Sequence, residues 1–327
     1  MTKTKILIPV LTLLAITSFI NCEKISKVKV LKLAHVLDTT HPVHKGMVFM
    51  AEMVYKNSAG RMRVDIYPGG QLGQERDLIE LLQIGSLAMT KVSTAPLEAF
   101  VPEMVIFGIP FIFRDDEHRW KVLKSDIGKR LLLAGEKYFL RGMCYYDAGN
   151  RSFYTKDRPV RTPADLQGLK IRVMKSLTAV EMVKALGGSS TPIPWGELYT
   201  SLQQGVVDGA ENNAPSFYLS RHYEVCKYYS LDEHTGVPDI LLISTVVWNA
   251  LTEQEQIWLQ EAVDSSVEHQ IALWKEASAF ALSEVQKAGV EVIYPDKGSF
   301  REAVKEMHES YKRTKFYDII RQIESVQ

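Results

Sequence analysis

From Lys29 onward, short stretches of alternating polarity take turns with stripes of apolar residues spaced three to four apart. That rhythm restricts the fold more than any other feature of the 327-residue chain. Lys29–Ala34 (KVLKLA) alternates, which predicts a strand with one face in the core. Val43, Met47, Met50 and Val54 mark one helical face within 41–58. A second strand is expected over 63–67, closed by Pro68-Gly69-Gly70, then a helix over 76–84 stopped at Gly85, then a strand over 87–92. The apolar runs at 104–113 and 142–147 read as two more strands. A βαβα succession of this kind folds into an α/β lobe with a mainly parallel sheet.

The rhythm restarts near Asn150. Thr162-Pro163-Ala164-Asp165 is a helix-start signal with Pro at the first helical position. A strand follows over 169–173, helices over 176–186 and 195–204, and a short strand at the end of 207–212. The apolar run 239–248 reads as a strand long enough to cross between lobes. Thr252 and Glu255 form a capping box for a helix reaching Lys287, far beyond the usual length and suited to bracing two lobes. The chain is long enough for two such units. We expect lobe I to hold 23–149 with about 237–280, and lobe II 150–236 with about 281–327, in an α/β two-lobe architecture with a hinge.

The first residues stand outside this pattern. Lys3 and Lys5 precede an apolar run from Ile6 to Ile16, the basic and apolar regions of an export signal over 1–21. A membrane-spanning helix needs about 20 apolar residues, and this run is shorter. Cys22, directly after it, resembles the lipidated cysteine of bacterial lipoproteins, with Asn21 where a small residue is usual. The expected location is the periplasm, with a lipid anchor at Cys22. Lys plus Arg and Asp plus Glu both number 39, which excludes the strongly basic footprint of a nucleic-acid binder. A charged ligand must therefore be caught by a local cluster. Three cysteines exclude a disulfide framework and leave Cys144 and Cys226 as either a pair or two buried thiols.

Motifs for catalysis or cofactors are missing from the sequence: it has no GxSxG elbow, HExxH, Walker A loop or GxGxxG after a strand. His41 and His44 lie one helical turn apart without a Cys or carboxylate beside them, so capping or packing is the default over a metal. Asp232-Glu233-His234 gathers acid and imidazole but has no nucleophile or cofactor motif beside it. We expect no enzyme activity, no cofactor and no metal. An enzyme built on that cluster is the alternative.

A binding constellation is easier to see. Arg172 sits mid-strand between Ile171 and Val173 and points away from the face they pack against. Its planar fork suits a carboxylate. Asn150-Arg151-Ser152 follows a strand end, and Asp208 to Asn213 bring amides to a strand exit, where ligands meet sheets. The runs Gly168-Leu169-Lys170-Ile171-Arg172-Val173, Pro192-Ile193-Pro194-Trp195-Gly196-Glu197 and Gln203-Gln204-Gly205-Val206-Val207-Asp208-Gly209-Ala210-Glu211-Asn212 resemble the solute-binding proteins of tripartite ATP-independent periplasmic (TRAP) transporters. Tyr67-Pro68-Gly69-Gly70-Gln71-Leu72-Gly73 and Phe107-Gly108-Ile109-Pro110-Phe111 fit the same pattern, so the likeness runs over residues 28–320.

The resemblance implies a two-lobe fold and one organic-acid ligand in the cleft, delivered to the small and large permease subunits. It also implies ligand-binding roles for Arg172 (the carboxylate), Arg151, Asn212, His35, Glu75, Lys91 and Ser93. The segment from Ser216 through Glu233 and His234 is similar to hexuronate-binding members, which adds those last two residues. Lys91, Ser93 and Thr94 match the strand end where sialate-binding members carry a Glu, and its absence here counts against sialate. Glu75 accepts but cannot donate, so it favours hydroxyls over a second carboxylate. The expected ligand is a glucuronate- or galacturonate-type sugar acid. The alternatives are a C4-dicarboxylate, sialate or another hydroxy acid, a periplasmic sugar-acid enzyme using the Asp232–His234 cluster, and a sensor's ligand-binding subunit with another partner.

Overall fold

The computed structural model describes residues 28–327; the expected export signal and Cys22 lie outside the described residues. β1 (Lys29–Ala34) buries Leu31 and Leu33 on one face, as its alternation requires. α1 (Pro42–Asn57) begins at His41, whose Nδ1 accepts from the Val43 N–H at 3.2 Å. Pro42 takes the first helical position, where a missing N–H costs little. The stripe Val43, Met47, Met50 and Val54 is fully buried. β2 (Met62–Tyr67) leads to α2 (Glu75–Gln83), begun by a capping box in which the Gln74 N–H donates to Asp77 Oδ2 at 2.9 Å. β3 (Met89–Ser93) runs into the short α3 (Thr94–Leu97), and α4 (Asp116–Lys124), α5 (Asp126–Leu133) and β4 (Leu140–Tyr146) follow.

The apolar run at 104–113 is not a strand. Pro102–Gly108 is a 3-10 helix with Met104, Ile106 and Phe107 buried, and Phe111 takes a left-handed φ of 54°. Pro102 pre-sets the first turn, and a segment buried on every side loses the periodicity that separates helix from strand.

The second unit holds β5 (Arg151–Thr155), β6 (Lys170–Val173), α6 (Leu177–Ala185), β7 (Ser189–Pro192), α7 (Leu198–Gln203), β8 (Gly209–Asn212), α8 (Ala214–Leu219) and β9 (Tyr228–Thr235). The helix expected over 195–204 is divided: Trp195–Glu197 forms a 3-10 turn ahead of α7. β10 (Asp239–Ser244) is shorter than its apolar run, which continues as α9 (Thr245–Asn249). α10 (Glu253–Lys287), β11 (Glu291–Ile293), α11 (Lys297–Ala303), α12 (Lys305–Tyr311) and α13 (Tyr317–Ser325) complete the chain.

Two sheets result, ordered β2-β1-β3-β10-β4 and β11-β9-β5-β8-β6-β7. Each is mainly parallel, as expected, with one strand reversed. β10 runs antiparallel to β3 and β4, and β5 antiparallel to β8 and β9. The reason is connectivity. The chain leaves the first sheet through 147–150 and returns through 236–238, so β5 and β10 each start at the edge where the other strands end. Asp239 pairs with Tyr146 and Arg151 with Thr235, which sets the two crossings side by side as the link between lobes.

α10 is 35 residues long, about 52 Å at 1.5 Å per residue. It packs on α1 and β4 of one lobe and on α8 of the other. Gln270, midway along it, accepts from the Asp147 N–H at 2.8 Å and donates to the Asp147 carbonyl at 2.9 Å, clamping the start of one crossing. Gly46 permits this approach, since a Cβ there would stand 2.8 Å from Gln270 Cβ. α13 lies against α5, with the His118 ring 3.0 Å from the Ile323 carbonyl, so the C-terminal helix rests on the first lobe although 281–327 was grouped with the second. Cys144 on β4 and Cys226 before β9 belong to different lobes and are both free, which removes the disulfide alternative. Among the described residues no helix is long and apolar enough to cross a membrane.

Candidate functional site

Strands β3, β6 and β8 end, and β5 and β10 begin, at the edges where the two sheets face each other. Crevices at the carboxyl ends of parallel strands are where open α/β sheets bind ligands. A cavity lies there, lined by side chains from both lobes. Ala148 and Val237, one from each crossing segment, line it, so the link between lobes is also part of the cavity wall.

The second lobe supplies the basic wall. Arg172 is 1% exposed; its Nε donates to the Ile193 carbonyl at 2.8 Å, and its guanidinium carbon stands 5.9 Å from the Trp195 ring centroid. Nη1 is buried without a hydrogen-bond partner, and no carboxylate lies within 4.0 Å of this side chain among the described residues. Burial pulls its pKa below the ordinary arginine value. Arg151 lines the same cavity with its fork occupied. Its Nη2 donates to Glu211 Oε1 at 3.0 Å and to the Glu211 carbonyl at 2.6 Å, its Nε pairs with Glu211 Oε2, and its Nη1 holds Asn212 Oδ1 at 2.8 Å. The Asn213 N–H also donates to Asn212 Oδ1, at 2.9 Å, which fixes the amide and leaves its Nδ2 without a protein partner among the described residues.

Behind Glu211 stands His234, whose Nδ1 lies 2.7 Å from Asp232 Oδ2 and whose Nε2 lies 3.6 Å from Glu211 Oε2. Burial opposes the charge on both groups but is outweighed. Arg151 and His234 draw Glu211 down to about 2, and Asp232 and Glu211 raise His234 to about 9.

The first lobe supplies an acidic wall built around one ammonium. Lys91, 2% exposed, places Nζ 2.9 Å from Asp239 Oδ2 and 3.9 Å from Glu75 Oε1. The Ser93 N–H donates to Glu75 Oε1 at 2.8 Å. Burial raises both carboxyl pKa values, and Lys91 partly offsets it. His41 crosses to the other lobe, with Nε2 3.3 Å from Ser216 Oγ. Its Nδ1 accepts from the Val43 N–H, and burial, with Lys91, keeps the ring neutral. Nε2 therefore carries the proton and donates, so His41 cannot act as the base that would activate Ser216. The arrangement grips a solute by charge and hydrogen bonds without an activated nucleophile.

The sequence and the structure agree on which chain segments meet here but differ on several residues. Arg172, Arg151, Asn212, Glu75, Lys91 and Ser93 line the cavity. His35 does not. Its Nδ1 accepts from the Leu37 N–H at 3.1 Å and its Nε2 meets His44 Nδ1 at 3.0 Å, which turns the ring inward, and His41 stands at the cavity instead. Glu233 and His234 are also off it. Glu233 pairs with Lys297 beside a separate pocket, and the His234 ring serves Asp232 and Glu211. Sequence reading missed His41, Trp195, Ser216 and Asp239. Only the position of His41 after β1 and of Asp239 at the head of β10 carried a local hint.

Residues 33–314 match the DctP family, bacterial extracellular solute-binding protein family 7. The chain is 37% identical over 299 residues to the uncharacterized protein YiiZ of Salmonella typhimurium, covering 90% of this chain and 91% of that one. It superimposes on a TRAP periplasmic solute-binding protein from a Bradyrhizobium species in complex with α/β-D-galacturonate, with a TM-score of 0.88 and 39% identity, covering 90% and 99% of the two chains. A second such protein, from Pseudomonas putida with bound D-glucuronate, gives a TM-score of 0.88 and 34% identity, covering 91% and 97%. The two-lobe fold, the crossing segments and the unreactive cleft thus have one explanation: the chain belongs to the DctP family of extracellular solute-binding proteins, which serve TRAP transport by capturing small carboxylates and are not enzymes.

Proposed function

We propose that this chain captures a monocarboxylate sugar acid of the hexuronate type in its interlobe cleft and delivers it to a TRAP permease. The ligand carboxylate pairs with Arg172, and Asn212, held by Arg151, donates beside it. Glu75, Lys91, Asp239, Ser93 and His41 meet the hydroxyls at the other end. The observation that carries this reading is the contrast between the two walls: a buried guanidinium with Nη1 unpartnered faces two carboxylates that share one ammonium. The galacturonate and glucuronate bound by similar proteins support it. A C4-dicarboxylate fits the Arg172 side but brings a second charge to the acidic wall. The export signal at 1–21 and lipidation at Cys22 complete the proposal, placing the receptor on the membrane surface. Incorporation of a labelled fatty acid, lost in Cys22→Ser, tests the anchor.

A thermal-shift panel tests the ligand class. A ligand at a hundredfold excess over its Kd stabilises by about 2.7 kcal/mol. Galacturonate or glucuronate should raise Tm, and succinate, malate and sialate should raise it less. A panel in which succinate gives the largest shift would replace the hexuronate reading with a dicarboxylate one.

A further inference from the structure

The placement of Asp239 is specific. It is the first residue of β10, directly after the second crossing segment, and its side chain is 8% exposed. Oδ2 faces Lys91 Nζ at 2.9 Å, whereas Glu75 meets that ammonium only at 3.9 Å and leans on the Ser93 N–H instead. Lys91 therefore belongs mainly to Asp239. Glu75 Oε2 and Asp239 Oδ1 have no hydrogen-bond partner among the described residues, although both side chains line the cavity. With both carboxylates ionised, this wall carries one net negative charge and presents acceptors. Such a wall binds O–H donors and repels an approaching carboxylate, most strongly where water is excluded.

Resting on the hexuronate reading, we infer that Asp239 is a specificity-determining residue: by occupying Lys91 it makes the cleft select a sugar acid oxidised at one end and reject the aldaric acid oxidised at both. Removing the Asp239 charge does two things at once. It brings the wall to neutrality and releases the Lys91 ammonium towards the cavity, where it becomes a partner for a second carboxylate. Glu75→Gln neutralises the wall while leaving Lys91 engaged, so its effect is in the same direction and smaller.

Isothermal titration of galacturonate and galactarate into the wild type, Asp239→Asn and Glu75→Gln tests this. We expect galactarate to bind the wild type at least a hundredfold more weakly than galacturonate. Asp239→Asn should bind galactarate at least tenfold more tightly than the wild type does, a gain that misfolding cannot produce. Glu75→Gln should narrow the galacturonate-to-galactarate ratio. The inference is overturned if galactarate binds the wild type within threefold of galacturonate, or if the ratio is unchanged in whichever of the two variants folds. A wild type that binds neither galacturonate nor glucuronate fails differently: it removes the hexuronate reading and this inference with it.

Discussion

Arg151 spends its guanidinium on the carboxylate and carbonyl of Glu211, whereas Arg172, lining the same cavity, meets no carboxylate within 4.0 Å among the described residues. Two arginines that look equivalent in the sequence therefore have different work. Arg151 holds the wall together and aims Asn212. Arg172 keeps donor capacity for a ligand.

Substitution should separate these roles. Arg151→Met leaves Glu211 buried with only His234 opposite, and breaking a buried pair in this way costs about 3–5 kcal/mol. Its chemical-denaturation midpoint should fall sharply. Arg172→Lys breaks no ion pair and loses only the hydrogen bond to the Ile193 carbonyl, so its midpoint should fall much less. Equal losses of stability in the two variants would contradict the division.

The histidines set opposite limbs of the pH–stability profile. His234 holds its proton up to about pH 9 in the folded chain but only to its ordinary value near 6.5 when unfolded. Its contribution is complete below pH 6.5 and lost as pH rises through 9, a change of about 3 kcal/mol. Burial lowers His35 and His222 to about 3, so their contribution is present above pH 6.5 and lost as pH falls towards 3. Unfolding free energy measured from pH 4 to 9.5 should fall on both sides of pH 6.5, and His234→Gln should flatten the alkaline side alone. An alkaline limb unchanged in that variant would show that His234 does not carry it.

Cys144 and Cys226 should remain thiols in an oxidising compartment. Both are buried in different lobes, and burial pushes Cys226 up to about 12. In a Cys22→Ser background, a thiol reagent should label neither in the folded protein and both after denaturation without reductant. No labelling after denaturation would reveal a disulfide.

The sequence made the segments that build the site legible and left several of their side chains hidden, for a physical reason. Arg172 could be found because a charged residue between Ile171 and Val173 breaks a strand's apolar pattern. His41 and Asp239 could not, because their roles depend on partners far along the chain: Ser216 lies 175 positions from His41. His35 and His41 share one loop, and only the folded backbone decides which faces the cavity, through the Leu37 N–H that fixes the His35 ring. The 104–113 run shows the same limit in the fold. Once every side of a segment is buried, hydrophobicity says that it is inside and nothing about its shape.

Titration calorimetry of D-galacturonate and D-glucuronate into the wild type and Arg172→Lys tests the central claim most directly. The wild type should bind at least one of them with a stoichiometry of one per chain. Arg172→Lys, in which a point charge replaces a bidentate fork, should bind it at least tenfold more weakly, about 1.4 kcal/mol. Affinities within threefold of each other would mean that the ligand carboxylate does not sit on Arg172, and binding of neither hexuronate by the wild type would mean that the cleft serves a different solute.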